Sequence, residues 1–412
     1  MSIVRPALTK PPKLKAVVVR GSLYMIYSEG MTTDEKISLI TKNLAETLTV
    51  EELRSLINSG TPLKHYIGFE ISGKLHIGHF YQLMKVKDLQ AAGAETIIWL
   101  ADYHSAVNDK LGGNLETIKR VAKNYFIPAM KVLFESIGGD PNKLIFKLCS
   151  EEYASHPDFW MTFIETAKAT SLARSKRSIT IMGREAAEDS IETAKIMYPI
   201  MQAADIFLLQ TNIAQAGIDQ RKVHVVARDA AMQIKTYPLK DARGNQLKPI
   251  AIHTPILLGL DFQESANHDD GSLERDEVAM RTKMSKSKAN SSVSVHDSPQ
   301  DIKQKINQAF APEGVTQNNP LLNWTKYLIF NSSHSTFSVT RPEKFGGDIA
   351  YSVFEDLEED YAKKKLHPMD LKASVADWLI ETLKPVRVCF EDPIKQASLD
   401  ELESLTSSKF SK

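Results

Sequence analysis

The stretch that most constrains how this chain can fold runs from His65 to Asp102: HYIGFEISGKLHIGHFYQLMKVKDLQAAGAETIIWLAD. Its opening, HYIGF, carries a strand signal over Tyr66 to Phe69. A short polar turn, Ser72-Gly73-Lys74, follows. Phe80, Leu83, Val86 and Leu89 then recur at spacings of three, the stripe of an amphipathic helix, which closes at Gly93. ETIIWLAD is a continuous apolar run typical of a strand buried on both faces, ending on the polar Asp102. Strand, turn, helix, strand is the βαβ unit of a doubly wound parallel sheet, so the fold class is α/β.

The rest of the chain extends that unit. At 412 residues it is too long for one ordinary core and suits two domains with insertions. Ahead of the unit, Thr32 precedes Glu35 and Thr49 precedes Glu52 by the three residues of a capping box, each opening a helical pattern. After it, Leu115 to Glu135 reads as a helix, KLIFKLC as a strand, and residues 151–200 as mostly helical. DIFLLQ at 205–210 and LKPIAIHTPIL near 250 return to strand character. A polar segment follows, and then Ser298, Pro299 and Asp301 supply the cap, first position and first turn of a new helix. We place a boundary there. The resulting division is a basic extension over 1–30, a Rossmann-like domain over 31–290, and a mainly helical domain over 297–412. The middle unit carries a helical insertion at about 150–197 and a polar loop at about 261–292.

Composition excludes several classes. Lys+Arg and Asp+Glu both total 51, so contact with nucleic acid must come from local patches rather than from an overall field. No apolar run approaches the roughly 18 residues of a membrane span. Cys149 and Cys389 stand far apart in no CxxC pattern, which fits a reducing compartment, the cytoplasm, and argues against a cysteine zinc site. Residues 1–28 carry Arg5, Lys10, Lys13, Lys15 and Arg20 and no acidic residue. A targeting peptide is one reading. Three prolines and AVVV spoil an amphipathic helix there and favour a plain basic extension, and Met31 could itself be a start.

His76 and His79, flanking Gly78, leave three readings open: a metal site, a surface pair, or a phosphate-binding helix start. Helical zinc pairs usually stand at i and i+4, and here the spacing is i and i+3 with no acidic residue between, so no protein-bound metal is expected. Downstream, Lys283-Met284-Ser285-Lys286-Ser287 sets two lysines among hydroxyls. Alone it would be a solvated charge run. Paired with the histidine turn, it is a cationic clamp suited to a polyphosphate.

HIGH (76–79) with KMSKS (283–287) resembles the class I aminoacyl-tRNA synthetases. The surrounding YIGFEISGKLHIGH, YPIMQAADI, GIDQRK, RPEKFGGD and LHPMDLK resemble the tyrosyl-tRNA synthetases of archaeal and eukaryotic-cytoplasmic type, over Met31 to Phe390. The resemblance implies a Rossmann-like catalytic domain followed by a helical anticodon-binding domain, and a homodimer formed through the insertion. It implies ATP as substrate, Mg²⁺ carried with the nucleotide, and tRNA(Tyr) as partner. The implied reaction is attack of the tyrosine carboxylate on the α-phosphorus of ATP, then transfer of tyrosine to the terminal ribose of the tRNA. His76, His79, Lys283 and Lys286 would be catalytic, stabilising charge on the phosphates. Gly68, Gly78, Gly217, Asp219 and Met284 would join them in contacting ATP. Tyr66 and Asp205 match the pair that hydrogen-bonds the substrate phenol, and Tyr198, Gln202 and Gln220 match positions that hold its α-amino group. Phenylalanine would leave the buried phenol pair unsatisfied.

On the tRNA side, Phe345, His367 and Asp370 match anticodon-reading positions, where an aromatic ring stacks on a splayed base. Arg174, Lys176 and Arg177, with Arg221 and Lys222, would meet the acceptor stem; as solvated charges they need no explanation. Each pocket residue also has a plainer role: Tyr198 before Pro199 as a helix cap, Asp205 as a turn residue, His367 in "HP" as a helix entry. Two departures stand out: Ile71 replaces a frequent proline, and Asp261 to Ala279 is longer and more acidic than usual. Two other functions remain open: a tryptophan–tRNA ligase, whose indole would not need Tyr66 beside Asp205, and a non-catalytic RNA-binding relative, which intact HIGH and KMSKS disfavour.

Overall fold

The structure, a computed structural model, describes residues 15–19, 22–26, 30–182, 192–262, 291–331 and 336–407. Near the N-terminus β1 (Lys15–Val19) and β2 (Ser22–Ile26) pair antiparallel as a two-stranded sheet of their own. Next come α1 (Thr33–Thr41), β3 (Glu46–Leu48) and α2 (Val50–Asn58). Both expected capping boxes form: Thr32 with Glu35 and Thr49 with Glu52 exchange side-chain and backbone hydrogen bonds.

The βαβ unit lies where the sequence puts it: β4 (Lys64–Phe69), α3 (Ile77–Ala91) and β5 (Glu95–Leu100). Then follow α4 (Asp102–Val107), α5 (Leu115–Val121), a π-turn, α6 (Ile127–Ser136) and β6 (Leu144–Leu148). The region expected to be helical gives α7 (Cys149–Ser155), α8 (Phe159–Lys168), α9 (Leu172–Ser178) and α10 (Thr193–Leu208). β7 (Ile213–Gly217), α11 (Arg221–Ala230) and β8 (Ile250–Thr254) complete the sheet.

One expectation fails here. DIFLLQ is not a strand: Asp205 to Leu208 are the last turn of α10, and Pro199 sits inside that helix rather than at its start. A short apolar run has no period of its own to separate a buried helix from a buried strand. The true strand, IAQAG, follows and is interrupted by Gln215, which hid it.

The main sheet has the order β3-β8-β7-β4-β5-β6, with β3 antiparallel at one edge and the rest parallel. From β4 the chain winds outward through β5 and β6, then returns to place β7 and β8 on the other side. The carboxyl ends of β4 and β7 therefore flank the switch point where ligands of such sheets bind. Strand alternation divides the core. Tyr66, Ile97, Trp99 and Ala101 face a cluster with Tyr153, Phe159 and the apolar side of α10. Ile67, Phe69, Ile98 and Leu100 face a cluster that continues through α3 and α6 into the C-terminal helices Pro368–Cys389 and Pro393–Ser407. The helix Pro299–Gln308 opens at Ser298 with a full capping box, as expected.

One polar pair is sealed into this packing. Lys85 on α3 is 2% exposed; its ammonium donates to Asp88 at 2.9 Å and to the Leu39 and Ile40 carbonyls of α1, each at 3.2 Å. Removing one partner of such a pair strands the other charge away from water. Asp88→Ala should therefore destabilise the fold by about 3–5 kcal/mol, seen as a lowered thermal unfolding midpoint. An unchanged midpoint would show that the pair contributes nothing.

Candidate active site

The turn after β4 is held from several sides. The Ile71 N–H donates to Ser105 Oγ at 2.8 Å and the Leu75 N–H to the Tyr125 hydroxyl at 2.9 Å. Gly73 adopts φ +154°, a backbone conformation that disfavours a side chain. Residues 291–297 return to pair with the turn: the Ile77 N–H donates to the Val293 carbonyl at 2.9 Å and the Val295 N–H to the Leu75 carbonyl at 3.0 Å.

His76 is the N-cap of α3, and the two histidines cap it reciprocally. His76 Nδ1 accepts from the Gly78 N–H at 3.0 Å, and His79 Nδ1 accepts from the His76 N–H at 3.1 Å. This is a capping box built from two imidazoles, with ring centroids 4.2 Å apart. Accepting at Nδ1 assigns each neutral ring its proton at Nε2, which makes Nε2 the donor atom. His79 is buried against Phe69 and Phe126. The helix dipole adds positive potential at this end, so the turn can take an anion.

The phenol pair meets on the other face of β4. Tyr66 is 1% exposed and Asp205 fully buried. The Tyr66 phenol is pushed up, first by burial and then by the nearby Asp205 carboxylate. Asp205 is itself raised from 3.8 to about 8, chiefly by burial and partly by Asp102, against hydrogen bonds from Tyr153 and Trp99 that lower it. The Tyr153 hydroxyl donates to Oδ1, and the Trp99 indole N–H donates to Oδ2 at 2.9 Å. His104 Nε2 lies 3.4 Å from the same Oδ2; burial holds it near 3, so it stays neutral. Gly68, paired in register with Trp99, leaves space that Tyr66 and Trp99 both border.

Around the rim, the Tyr198 hydroxyl donates to Glu70 Oε1 at 2.9 Å, and Asn108 and Lys110 hold the same carboxylate. Gln202 Nε2 stands 3.5 Å from Gln220 Oε1, and the Gln220 amide donates to Asp219 at 3.1 Å. Gly217 ends β7, where a Cβ would lie 2.4 Å from Asp219 Oδ1 and displace that carboxylate. Tyr66, Tyr198, Gln202, Asp205 and Gln220, far apart in the sequence, thus gather around β4, the carboxyl end of β7 and α10. Trp99, Tyr153, Glu70 and His104 went unnoticed in the sequence. Only the glycine inside strand HYIGF hinted that something bulky stands beside it.

Lys283, Met284 and Lys286 lie outside the described residues, as does most of the acidic segment 261–279. Lys176 and Arg177 are exposed on α9, whereas Arg174 pairs with Asp229 at 2.7 Å. Arg221 is no loose charge: its Nε donates to Glu46 at 2.8 and 3.0 Å, and Glu46 also contacts His253. Lys222 follows it on α11, half-buried. In the C-terminal part Phe345 is 62% exposed. His367 caps helix Pro368–Cys389, its Nδ1 accepting from the Met369 N–H at 3.2 Å, and Asp370 lies in the first turn. Arg341 donates to the Gly347 and Lys365 carbonyls, tying the loop of Phe345 to that helix start. His76→Ala deletes an N-cap acceptor and should cost about 1 kcal/mol of stability, measurable by chemical denaturation, while His76→Asn, which restores an acceptor, should recover most of it. Equal losses in both variants would argue against the capping role.

Comparison with known proteins agrees with this geometry. Residues 58–384 match the family model of tRNA synthetases class I (W and Y). A tyrosine–tRNA ligase of Thermococcus kodakarensis is 50% identical over 364 residues, covering 88% of this chain and 96% of that protein. One from Thermococcus sibiricus is 49% identical with the same coverage. The crystal structure of the Pyrococcus horikoshii tyrosyl-tRNA synthetase complexed with L-tyrosine superposes with a TM-score of 0.84 at 46% identity, covering 91% of this chain and all of that one. That of Aeropyrum pernix gives 0.75 at 36% identity, covering 90% and 99%. With its histidine-capped helix at the switch point of a parallel sheet, and with these relatives, the chain belongs to the class I tRNA synthetases of the tryptophan and tyrosine group.

Proposed function

We propose that this protein is a tyrosine–tRNA ligase, activating L-tyrosine with ATP and transferring it to tRNA(Tyr). The observation that carries the choice of amino acid is the buried Asp205 carboxylate bearing on the Tyr66 phenol at the switch point. A site with both a hydroxyl and a carboxylate in its floor suits a phenol, which donates and accepts, better than an indole, which only donates. The tryptophan alternative is weaker for that reason, and the relatives of about 50% identity are named for tyrosine.

In this reading the tyrosine hydroxyl lies against Tyr66 and Asp205, and Gly68 joins the residues that contact ATP. Tyr198, Gln202 and Gln220 hold the α-amino group, and Glu70 fixes the Tyr198 hydroxyl. ATP lies along the start of α3. Gly78 lets the adenine approach the backbone, and the Nε2–H groups of His76 and His79 donate to phosphate oxygens. Gly217 and Asp219 face the ribose. The tyrosine carboxylate attacks the α-phosphorus and pyrophosphate departs toward Lys283 and Lys286, with Met284 between them. Mg²⁺ would arrive on the nucleotide's phosphates. Catalysis then rests on alignment and on donors placed where charge develops.

The tRNA would span the molecule, its acceptor end near Arg174, Lys176, Arg177, Arg221 and Lys222 and its anticodon at Phe345, His367 and Asp370. An exposed phenylalanine beside a helix start suits base stacking. The division into a catalytic unit over 31–290 and an anticodon-binding unit over 297–412 belongs to the same proposal. So does a homodimer through the helical insertion, supported by Trp160 and Ile164, exposed one turn apart on α8, and by Leu172 beyond them. No helix among the described residues is long and apolar enough to cross a membrane, and we propose the cytoplasm as the site of action.

The deciding assay is amino-acid-dependent exchange of labelled pyrophosphate into ATP. Tyrosine should support it and tryptophan should not; the reverse result would overturn the assignment, and no exchange with any amino acid would favour a non-catalytic RNA-binding role. Lys286→Ala should slow exchange by about 10²-fold with little change in tyrosine affinity. An unchanged rate would remove that lysine from the mechanism.

A further inference from the structure

We infer that Tyr153 and Trp99 are positioning residues for amino-acid selection, holding the Asp205 carboxylate as a hydrogen-bond acceptor for the substrate phenol. The inference rests on the reading above that Asp205 faces that phenol, and goes beyond it in naming what keeps the carboxylate fit for the task.

The geometry is specific. The two donors come from different elements, Trp99 from β5 and Tyr153 from α7, and each takes a different oxygen of Asp205. A carboxylate offers about four lone-pair directions, so two donors fix its plane and still leave directions for a third. Both donors are fixed in turn. Trp99 is 1% exposed beside Gly68, and the Tyr153 ring stacks on Phe159 with centroids 3.6 Å apart.

The surroundings offer Asp205 little other help. His104 from α4 is close but neutral. Asp102, also on α4, opposes ionisation. Tyr66 on β4, Cys149 on α7 and Tyr198 on α10 are all pushed up by burial and keep their protons. The hydrogen bonds of Tyr153 and Trp99 are what lower the proton affinity of Asp205 against its burial. With its proton on, Asp205 presents an O–H where the phenol needs an acceptor, and the advantage of tyrosine over phenylalanine shrinks.

The sign of the pH effect follows. The ratio of kcat/KM for tyrosine to that for phenylalanine should rise as pH climbs through about 8, where free-enzyme Asp205 loses its proton. The α-amino group is common to both substrates and cancels in the ratio.

The experiment is pyrophosphate exchange with tyrosine and with phenylalanine, from pH 6 to 9.5, on the wild-type protein, Tyr153→Phe and Trp99→Phe. Tyr153→Phe keeps the ring on Phe159 and loses only the hydroxyl. We expect its tyrosine-to-phenylalanine ratio to fall by about tenfold at neutral pH, the scale of one lost hydrogen bond to a charged group. The rise of the ratio should also move to higher pH. Trp99→Phe should shift both in the same directions, and it decides the matter if Tyr153→Phe does not fold. A purely structural role would lower both substrates' kcat/KM by one factor and leave the ratio and its pH profile in place; that result overturns the inference. Absence of tyrosine-dependent exchange in the wild-type protein would instead overturn the tyrosine reading itself, and this inference with it.

Discussion

Where β4 ends decides where everything else in this protein works. The strand is hydrogen-bonded on one side to β5 and on the other to β7, so its carboxyl end lies at the switch point of the sheet. Its two faces then serve two ends. Tyr66 points into the cluster of Tyr153 and α10, the proposed amino-acid side, while Phe69 packs on the ring of His79 at the proposed nucleotide side. A one-residue slip in register would exchange those faces and remove both sites together.

The amino-acid side is an expensive place to keep ionisable groups. Asp205, Tyr66, Tyr153, Tyr198, His104 and Cys149 all lie in or against one apolar cluster, and burial is the first cause of each one's displaced proton affinity. The fold manages this by leaving the phenols, the thiol and the imidazole neutral and directing two hydrogen bonds, from Tyr153 and Trp99, onto Asp205 to oppose the rise that burial causes. Such a site is less stable than an apolar core of the same size would be. In the proposed function it could, however, tell one hydroxyl group from none.

Much of this was legible in the sequence, and the limits have physical causes. Both threonine capping boxes and the Ser298 cap were readable because their interactions lie within four residues of one another, and the βαβ unit because each of its elements carries its own apolar period. HIGH was readable as a helix start, and the resemblance supplied Tyr66, Tyr198, Gln202, Asp205 and Gln220. DIFLLQ was misread because an apolar run loses its period when every side is buried. The partners of Asp205 were out of reach: Trp99 lies 106 residues away and Tyr153 52, and neither belongs to a motif. Arg221 looked like a surface charge because its ion pair with Glu46 spans 175 residues.

The pairing of residues 291–297 with the histidine turn has a further consequence, for the order of events during synthesis. Ser294 meets the Leu75 carbonyl across 219 residues, and Ile77 and Leu75 are bonded to the same returning segment. A nascent chain that has emerged only to residue 290 carries both histidines and the first strands but lacks the segment that braces their turn. Lys74, on that turn, reaches later still, to Glu403 at 2.8 Å. The turn proposed to bind the nucleotide thus depends for its bracing on residues 291–297 and Glu403, which are synthesised later than β4, β5, α7 and α10.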